Sequence, residues 1–252
     1  LTLVYQPKVA LHPNGEHHLE ALVRWRHPTR GIVPPVDFIP FAEQTGYIRA
    51  ITEWVLNHAM AQCAIWRGEG LRTCVSINLS ARDLIDPELA DRFTRALSAH
   101  GCAATWIGLE ITESAILDDP NHVLANLTRL CRLGCRVSID DYGTGYSSLA
   151  YLKRLPVNEL KIDQSFVRGL VRDATDSVIV RSTIELAHHI GLTVVAEGVE
   201  DEPTLRRLRE LGCDMLQGYH LSRPLAAEGV AAWIRGSAWT RAGVSELALV
   251  RA

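Results

Sequence analysis

Glu20, Asn78, Glu110, Asp140, Lys161, Glu197 and Gln217 each stand within or at the end of a short apolar run, where a folded chain normally places Val, Ile or Leu. The runs are HLEALVRW (18–25), CVSINLS (74–80), GLEITE (108–113), RVSIDD (136–141), ELKID (159–163), TVVAEGVE (193–200) and MLQGYH (215–220). A carboxylate left unpaired in a dry interior costs several kcal/mol or takes up a proton. Polar intrusions in so many runs imply strands that converge on a cation. Glu, Asp and Asn offer hard oxygen ligands, which select Mg²⁺ or Mn²⁺ over zinc, and none of these positions is a histidine. So many carboxylates exceed the needs of one Mg²⁺ and suit two ions a few ångströms apart. Such a pair fits in-line displacement at phosphorus, generating hydroxide and stabilising the leaving oxygen. Arg24, on the same strand face as Glu20, is placed to hold a phosphate by charge-assisted hydrogen bonds. Lys161 is placed to hold or deprotonate the attacking water. Charge neutralisation within the acidic ring is the alternative role for both.

Strand pleating puts the polar set on one side, because successive side chains face opposite ways. Glu20 and Arg24 oppose Leu19, Ala21 and Val23; Ser76, Asn78 and Ser80 oppose Val75, Ile77 and Leu79. Ser138 and Asp140 oppose Val137 and Ile139, and Glu159, Lys161 and Asp163 oppose Leu160 and Ile162. Helical spacing fills the intervals: 38–67, 87–99 behind Asp86-Pro87, 120–132 behind Asp119-Pro120, 174–190, 202–211 and 226–235, with glycines after several of them. With LTLVYQPKV at the start there are eight strands alternating with helices, which predicts a (β/α)8 TIM-like barrel. A doubly wound open sheet is the competing fold. The first connection, LHPNGEHH, is too short for a helix, so the first strand is expected to be irregular and antiparallel to the second. The apolar face then meets the helix layer, and the polar face looks into the barrel near its C-terminal mouth.

The 252 residues, 47% apolar and 22% charged, read as one domain spanning 1–252, excised from a longer multidomain protein because the chain starts at Leu1 in a strand-like segment. The net charge of −3 argues against a DNA or RNA polymer as partner. No run reaches the roughly 18 apolar residues of a membrane span. Six cysteines without a C-x-x-C pair indicate a reducing, cytoplasmic setting and no zinc site, although the parent protein could carry a membrane anchor. His220 is offset from Gln217 onto the other face and reads as structural.

In order along the chain, YQP (5–7), EALVRW (20–25), SINLS (76–80), LEITES (109–114), DDYGTGYSSL (140–149), LKID (160–163), AEGVE (196–200) and QGYHLSRP (217–224) resemble the EAL domain family of bacterial cyclic di-GMP phosphodiesterases. The resemblance covers essentially the whole chain. It implies a (β/α)8-like barrel with one antiparallel strand and hydrolysis of cyclic di-GMP to linear pGpG with two Mg²⁺ or Mn²⁺ ions. Glu20, Asn78, Glu110 and Asp140 match the family's metal ligands, and Asp141 and Glu197 complete the two-metal site. Asp140, Lys161 and Glu197 carry the chemistry, with Lys161 matching the residue that contacts the catalytic water. Gln217 and Glu200 match further active-site positions, and Gln6 and Arg24 match contacts to the dinucleotide. Glu113 matches the anchor of the loop 142–148, which couples the metal site to a dimer interface. Gly143 and Gly145 in that loop could instead form a phosphate-cradling turn, a weak signal alone.

The family resemblance further implies a homodimer and an upstream sensor or cyclase domain. Tyr142 stands where the family usually has Phe, and the helix that usually precedes the first strand is missing. Some family members lack ligands and act only as cyclic di-GMP receptors; here every ligand position is intact. A silent receptor module is the rival from another class. An enolase-type barrel, with carboxylates on successive strands and a lysine base, is the rival without the family.

Overall fold

A computed structural model describes residues 1–12, 15–144 and 152–241. Its strands are β1 (Thr2–Ala10), β2 (His17–His27), β3 (Gly31–Val33), β4 (Thr73–Leu79), β5 (Ile107–Thr112), β6 (Arg136–Tyr142), β7 (Glu159–Ile162), β8 (Thr193–Ala196) and β9 (Met215–Leu216). The hydrogen-bonded order is β1-β9-β8-β7-β6-β5-β4-β2, and β1 also pairs with β2, so the ring closes. β1 runs antiparallel to both neighbours, and every other neighbouring pair in the ring is parallel. The expected barrel with an antiparallel first strand is therefore the fold, and the open sheet is ruled out. β3, which the sequence reading lacks, is a short antiparallel extension of β2 outside the ring.

The alternation of side chains builds the layers. Val75 and Ile77 of β4, Leu109 and Ile111 of β5 and Val137 of β6 are fully buried in one apolar core. That core also takes Leu56, Ala59, Met60 and Cys63 from helix Ile48–Gly68, Phe93 from helix Leu89–His100, and Val123, Leu127 and Leu130 from helix Pro120–Leu133. Hydrophobic burial thus lies mainly between sheet and helices, and the inside of the ring is largely polar, with Val195 and Met215 among its apolar members. No helix among the described residues is long and apolar enough to cross a membrane.

Several boundaries differ from the sequence reading for local reasons. The single helix expected over 38–67 is two, Pro35–Thr45 and Ile48–Gly68, because Gly46 takes a left-handed φ of +81° and ends the first. Pro87 does not open a helix: Asp86 Oδ1 accepts from Glu88 N at 3.0 Å in a turn, and the helix starts at Leu89. Asp119 does cap its helix, accepting from His122 N, and Gly134 ends it in the left-handed region. Gly236 is the last residue of its helix and Ser237 follows as the cap. Short helices Ala81–Leu84, Glu113–Asp118 and Gln164–Gly169, absent from the sequence reading, follow β4, β5 and β7 directly. Each starts on a side-chain cap, from Ser80, Thr112 and Asp163, so the strand ends that carry Asn78, Glu110 and Lys161 pass into fixed geometry.

Leu127→Ala removes a fully buried side chain from the sheet–helix layer and is expected to cost about 2–5 kcal/mol in urea unfolding. Leu133→Ala, at a 39% exposed position of the same helix, should stay within about 0.5 kcal/mol of the unaltered chain.

Candidate active site

β8 and β9 stop just before Glu197 and Gln217, yet the backbone stays in register. Glu197 N donates to Ile162 O at 3.2 Å and Gln217 N to Ala196 O at 2.9 Å. Gly198 then turns away with φ +68°, and any Cβ there would lie 2.5 Å from Gln164 Cβ. Gly218 packs closer still: a Cβ would sit 2.1 Å from the carbonyl oxygen of Val199. These two glycines let the last two strand ends meet over the mouth.

Lys161 lies at the centre, fully buried. Its Nζ donates to Glu110 Oε2 and forms ion pairs with Glu197 Oε1 at 2.7 Å and Asp140 Oδ1 at 3.0 Å, and Glu20 Oε2 lies 3.7 Å away. Four carboxylates from β2, β5, β6 and the end of β8 thus share one ammonium. Glu20 is held on both oxygens, by Asn78 Nδ2 and by Gln217 Nε2, each at 2.7 Å. Gln217 Nε2 also reaches Gln6 Oε1 at 3.3 Å, while Gln217 Oε1 is buried without a hydrogen-bond partner. The ring is richer in acid than in base, which shows in its proton affinities. Burial, with the charges of Asp140 and Glu20, pushes Glu197 up to about 8 against the pull of Lys161. Burial and Asp140 push Asp141 up to about 6. Burial and the neighbouring Glu110 raise Glu20 as well. Glu110 goes the other way: burial is outweighed by Lys161 and Lys8, which hold it at about 2.

Asp141 is the one non-glycine residue described with positive φ, at +53°. The pairing of β6 with β7 shifts register between Ile139 and Tyr142, and this irregularity turns Asp141 to the same side as Asp140. Carboxylate oxygens of Asp140, Asp141 and Glu197 lie within 4.8 Å of one another, an all-oxygen set suited to a hard divalent cation. The mouth opens into a cavity of about 270 Å³ lined by Gln6, Glu20, Leu22, Asp140, Glu197 and Gln217, with Gln164, Arg168 and Glu200 among the other lining residues. A larger, mostly apolar groove of about 670 Å³ is bounded by Leu22, Val36, Ile39, Ile51, Asn78 and Ser80. It shares Leu22 with the first cavity, and the carboxylate ring lies outside it.

The remaining expected residues fall at different distances from this centre. Glu113 is buried and its Oε2 accepts from Gly143 N at 3.1 Å, tying the start of the 142–148 loop to the end of β5; Gly145 to Ser148 lie outside the described residues. Glu200 stands at the rim, paired with Arg168 at 2.7 Å. Arg24 is half-buried, its Nη1 turned to the carbonyl of Val23 at 2.9 Å, and it does not line the 270 Å³ cavity. His220 pairs with Glu202 rather than with the ring. Sequence reasoning missed Lys8 and Arg168. Lys8 was findable, since it shares strand parity with Gln6; Arg168 sits on a short helix with no periodic signal.

The family model for the EAL domain matches residues 1–224. The chain belongs to the EAL domain family. It is 45% identical over 234 residues to the bifunctional diguanylate cyclase/cyclic di-GMP phosphodiesterase MucR of Pseudomonas aeruginosa, covering 92% of this chain and 34% of that protein. It is 39% identical over 233 residues to the cyclic di-GMP phosphodiesterase PA2567 of the same organism, covering 92% of this chain and 40% of that one. This EAL domain therefore spans about a third of the length of such relatives. Among solved structures, the MucR phosphodiesterase in complex with c-di-GMP superposes with a TM-score of 0.86 at 44% identity, over 91% of this chain and 93% of that one. The FimX EAL domain of P. aeruginosa bound to c-di-GMP gives 0.83 at 26% identity, over 89% and 90%.

The raised affinity of Glu197 sets a pH dependence for the metal-free fold. Folded Glu197 keeps its proton to about 8, whereas an unfolded glutamate releases it at about 4.3. Between those values the folded state binds the extra proton, so stability falls as pH rises. In chelator, the stability inferred from melting curves should decline between pH 6.5 and 8 by up to about 1.4 kcal/mol per pH unit, and Mn²⁺ should flatten the decline. A flat profile in chelator would mean that Glu197 is already ionised in the metal-free protein.

Proposed function

We propose that this EAL domain is a metal-dependent phosphodiesterase that opens cyclic di-GMP to linear pGpG. The observation that carries the reading is the convergence of Glu20, Glu110, Asp140 and Glu197 on the Lys161 ammonium at the mouth of the barrel, beside the Asp140–Asp141–Glu197 oxygen cluster. A buried cation already satisfies part of this acidic ring, and the donors left over are oxygens, which fit two Mg²⁺ or Mn²⁺ ions. Glu20, Asn78, Glu110, Asp140, Asp141 and Glu197 would hold them. When bound, such a pair activates water and compensates charge on the leaving oxygen.

The protein's own groups do the rest. Water adds to phosphorus, the bond to the 3′ oxygen breaks, and a proton from the water ends on that oxygen. Lys161, between Asp140 and Glu197, orients the water and keeps the carboxylates apart. Gln217, immobilised on Glu20 with its own Oε1 still free to accept, and Gln6 beside it bind the dinucleotide at the cavity edge. The apolar groove past Leu22 and Val36 suits a flat base laid away from the charge. Arg24 would have to leave the Val23 carbonyl to meet a phosphate. Glu113 and Glu200 act at one remove, on the Gly143 turn and on Arg168. In its parent protein the domain is expected to work in the cytoplasm, as a homodimer under an upstream sensor or cyclase domain.

The direct test is incubation of the purified chain with cyclic di-GMP and Mg²⁺ or Mn²⁺, with pGpG followed by chromatography. Turnover is expected only with the metal present. Glu20→Ala should lower kcat by more than about a hundredfold, beyond the range lost on altering an indirect partner of a metal. Tight binding of cyclic di-GMP with no pGpG under any metal would leave a receptor module instead.

A further inference from the structure

The ring of acids has a second buried ammonium beneath it. Lys8 on β1 is as enclosed as Lys161, its side chain 2% exposed. Its Nζ donates to Glu110 Oε1 at 2.6 Å and to Ser76 Oγ at 2.9 Å, with Glu159 Oε1 at 3.5 Å. Ser138 Oγ donates to the same Glu159 oxygen at 2.8 Å. Ser76, Ser138 and Glu159 each precede a mouth residue (Asn78, Asp140 and Lys161) by two positions on β4, β6 and β7. On parallel strands two residues span about 6.6 Å, so Lys8 gathers the layer just below the mouth. Glu110 joins the two layers. One of its oxygens faces Lys8 and the other faces Lys161.

We propose that Lys8 is a positioning residue for the metal site: by tying Glu110 Oε1 to the layer below, it leaves Oε2 as the single oxygen that Glu110 turns to an ion. This rests on the two-ion reading above. The terminal torsion of a glutamate is broad, so a Glu110 held only through Oε2, by Lys161, could rotate and offer either oxygen or both. A lysine fixed from below removes that freedom, as partners behind metal ligands generally do. Charge alone makes the opposite prediction. Lys8 is a cation close to a cation site, and deleting it would tighten metal binding if neutralisation were its whole effect.

The sign of the change in Mn²⁺ affinity therefore decides, measured by calorimetry on the full chain without substrate. The experiment belongs at pH 8. His18, Lys8's partner in the β1–β2 register, is lowered to about 4 by burial and by Lys8, and at pH 8 it stays neutral even if that lysine is lost. Lys8→Met should weaken Mn²⁺ binding about 10–100-fold. Lys8→Met/Glu159→Gln removes one charge of each sign, spares the layer an orphaned carboxylate, and should remain at least about tenfold weak while still melting cooperatively. Glu159→Gln alone, which leaves Lys8 on Glu110, should bind like the unaltered chain. Tighter binding by Lys8→Met, or affinity restored in the double variant, overturns the positioning role and leaves Lys8 a neutralising charge. Absence of Mn²⁺ binding by the unaltered chain overturns the two-ion reading and this inference with it.

Discussion

The interaction on which the rest of the structure depends is the sharing of one buried ammonium, that of Lys161, among four carboxylates from four strands. Neither partner is tolerable alone in that interior: an isolated buried ion costs far more than a single hydrogen bond returns. The pairing is thus a condition for closing the ring with those residues inside, and it is a poor source of stability. Replacing such a cluster with well-packed apolar residues is often neutral or favourable for folding. What the charged interior supplies is a preorganised set of oxygens at the mouth, short of positive charge, as the raised affinity of Glu197 records.

This constraint divides the labour between layers. Barrel interiors are usually filled by branched apolar side chains, which contribute to the core. Here the interior holds Lys8, Glu20, Glu110, Asp140, Glu159 and Lys161. Stabilising burial has to come from the other face of each strand, where Ile77, Leu109, Val137 and Leu160 meet the helices. The same strands therefore do two jobs at alternate residues. Short capped helices after β4, β5 and β7 and the close approaches at Gly198 and Gly218 then hold the strand ends in place.

Much of this was legible in the sequence because pleating is local. The parity of Glu20, Asn78, Asp140 and Lys161 against their apolar neighbours can be read within each strand, and so can the helix ends at Asp119 and Gly134. The breaks were not. Gly46 divides what helical spacing joins through its own left-handed φ, which spacing does not carry, and Pro87 sits in a turn whose Asp86 and Pro87 carbonyls accept from Asn126 and Arg129 on a later helix. Lys8 directly follows the YQP motif (5–7), and nothing local signals its partners, Ser76 and Glu110, which lie on other strands.

Alternation of elements, the inward set of polar residues and membership of the EAL family were thus determined by the sequence itself, through spacings of two and three to four residues and an ordered series of motifs. Tertiary structure decided which of those residues meet. The ring closes through β1, which pairs with β2 next to it and with β9 some two hundred residues later. That closure places Lys8 under Glu110 and Gln6 beside Gln217. It also left Arg24, which shares a strand face with Glu20, turned to its own backbone. Strand parity says which side a residue faces; only the closed ring says how far along it and next to whom, because contacts across the barrel join residues with no local relation in sequence.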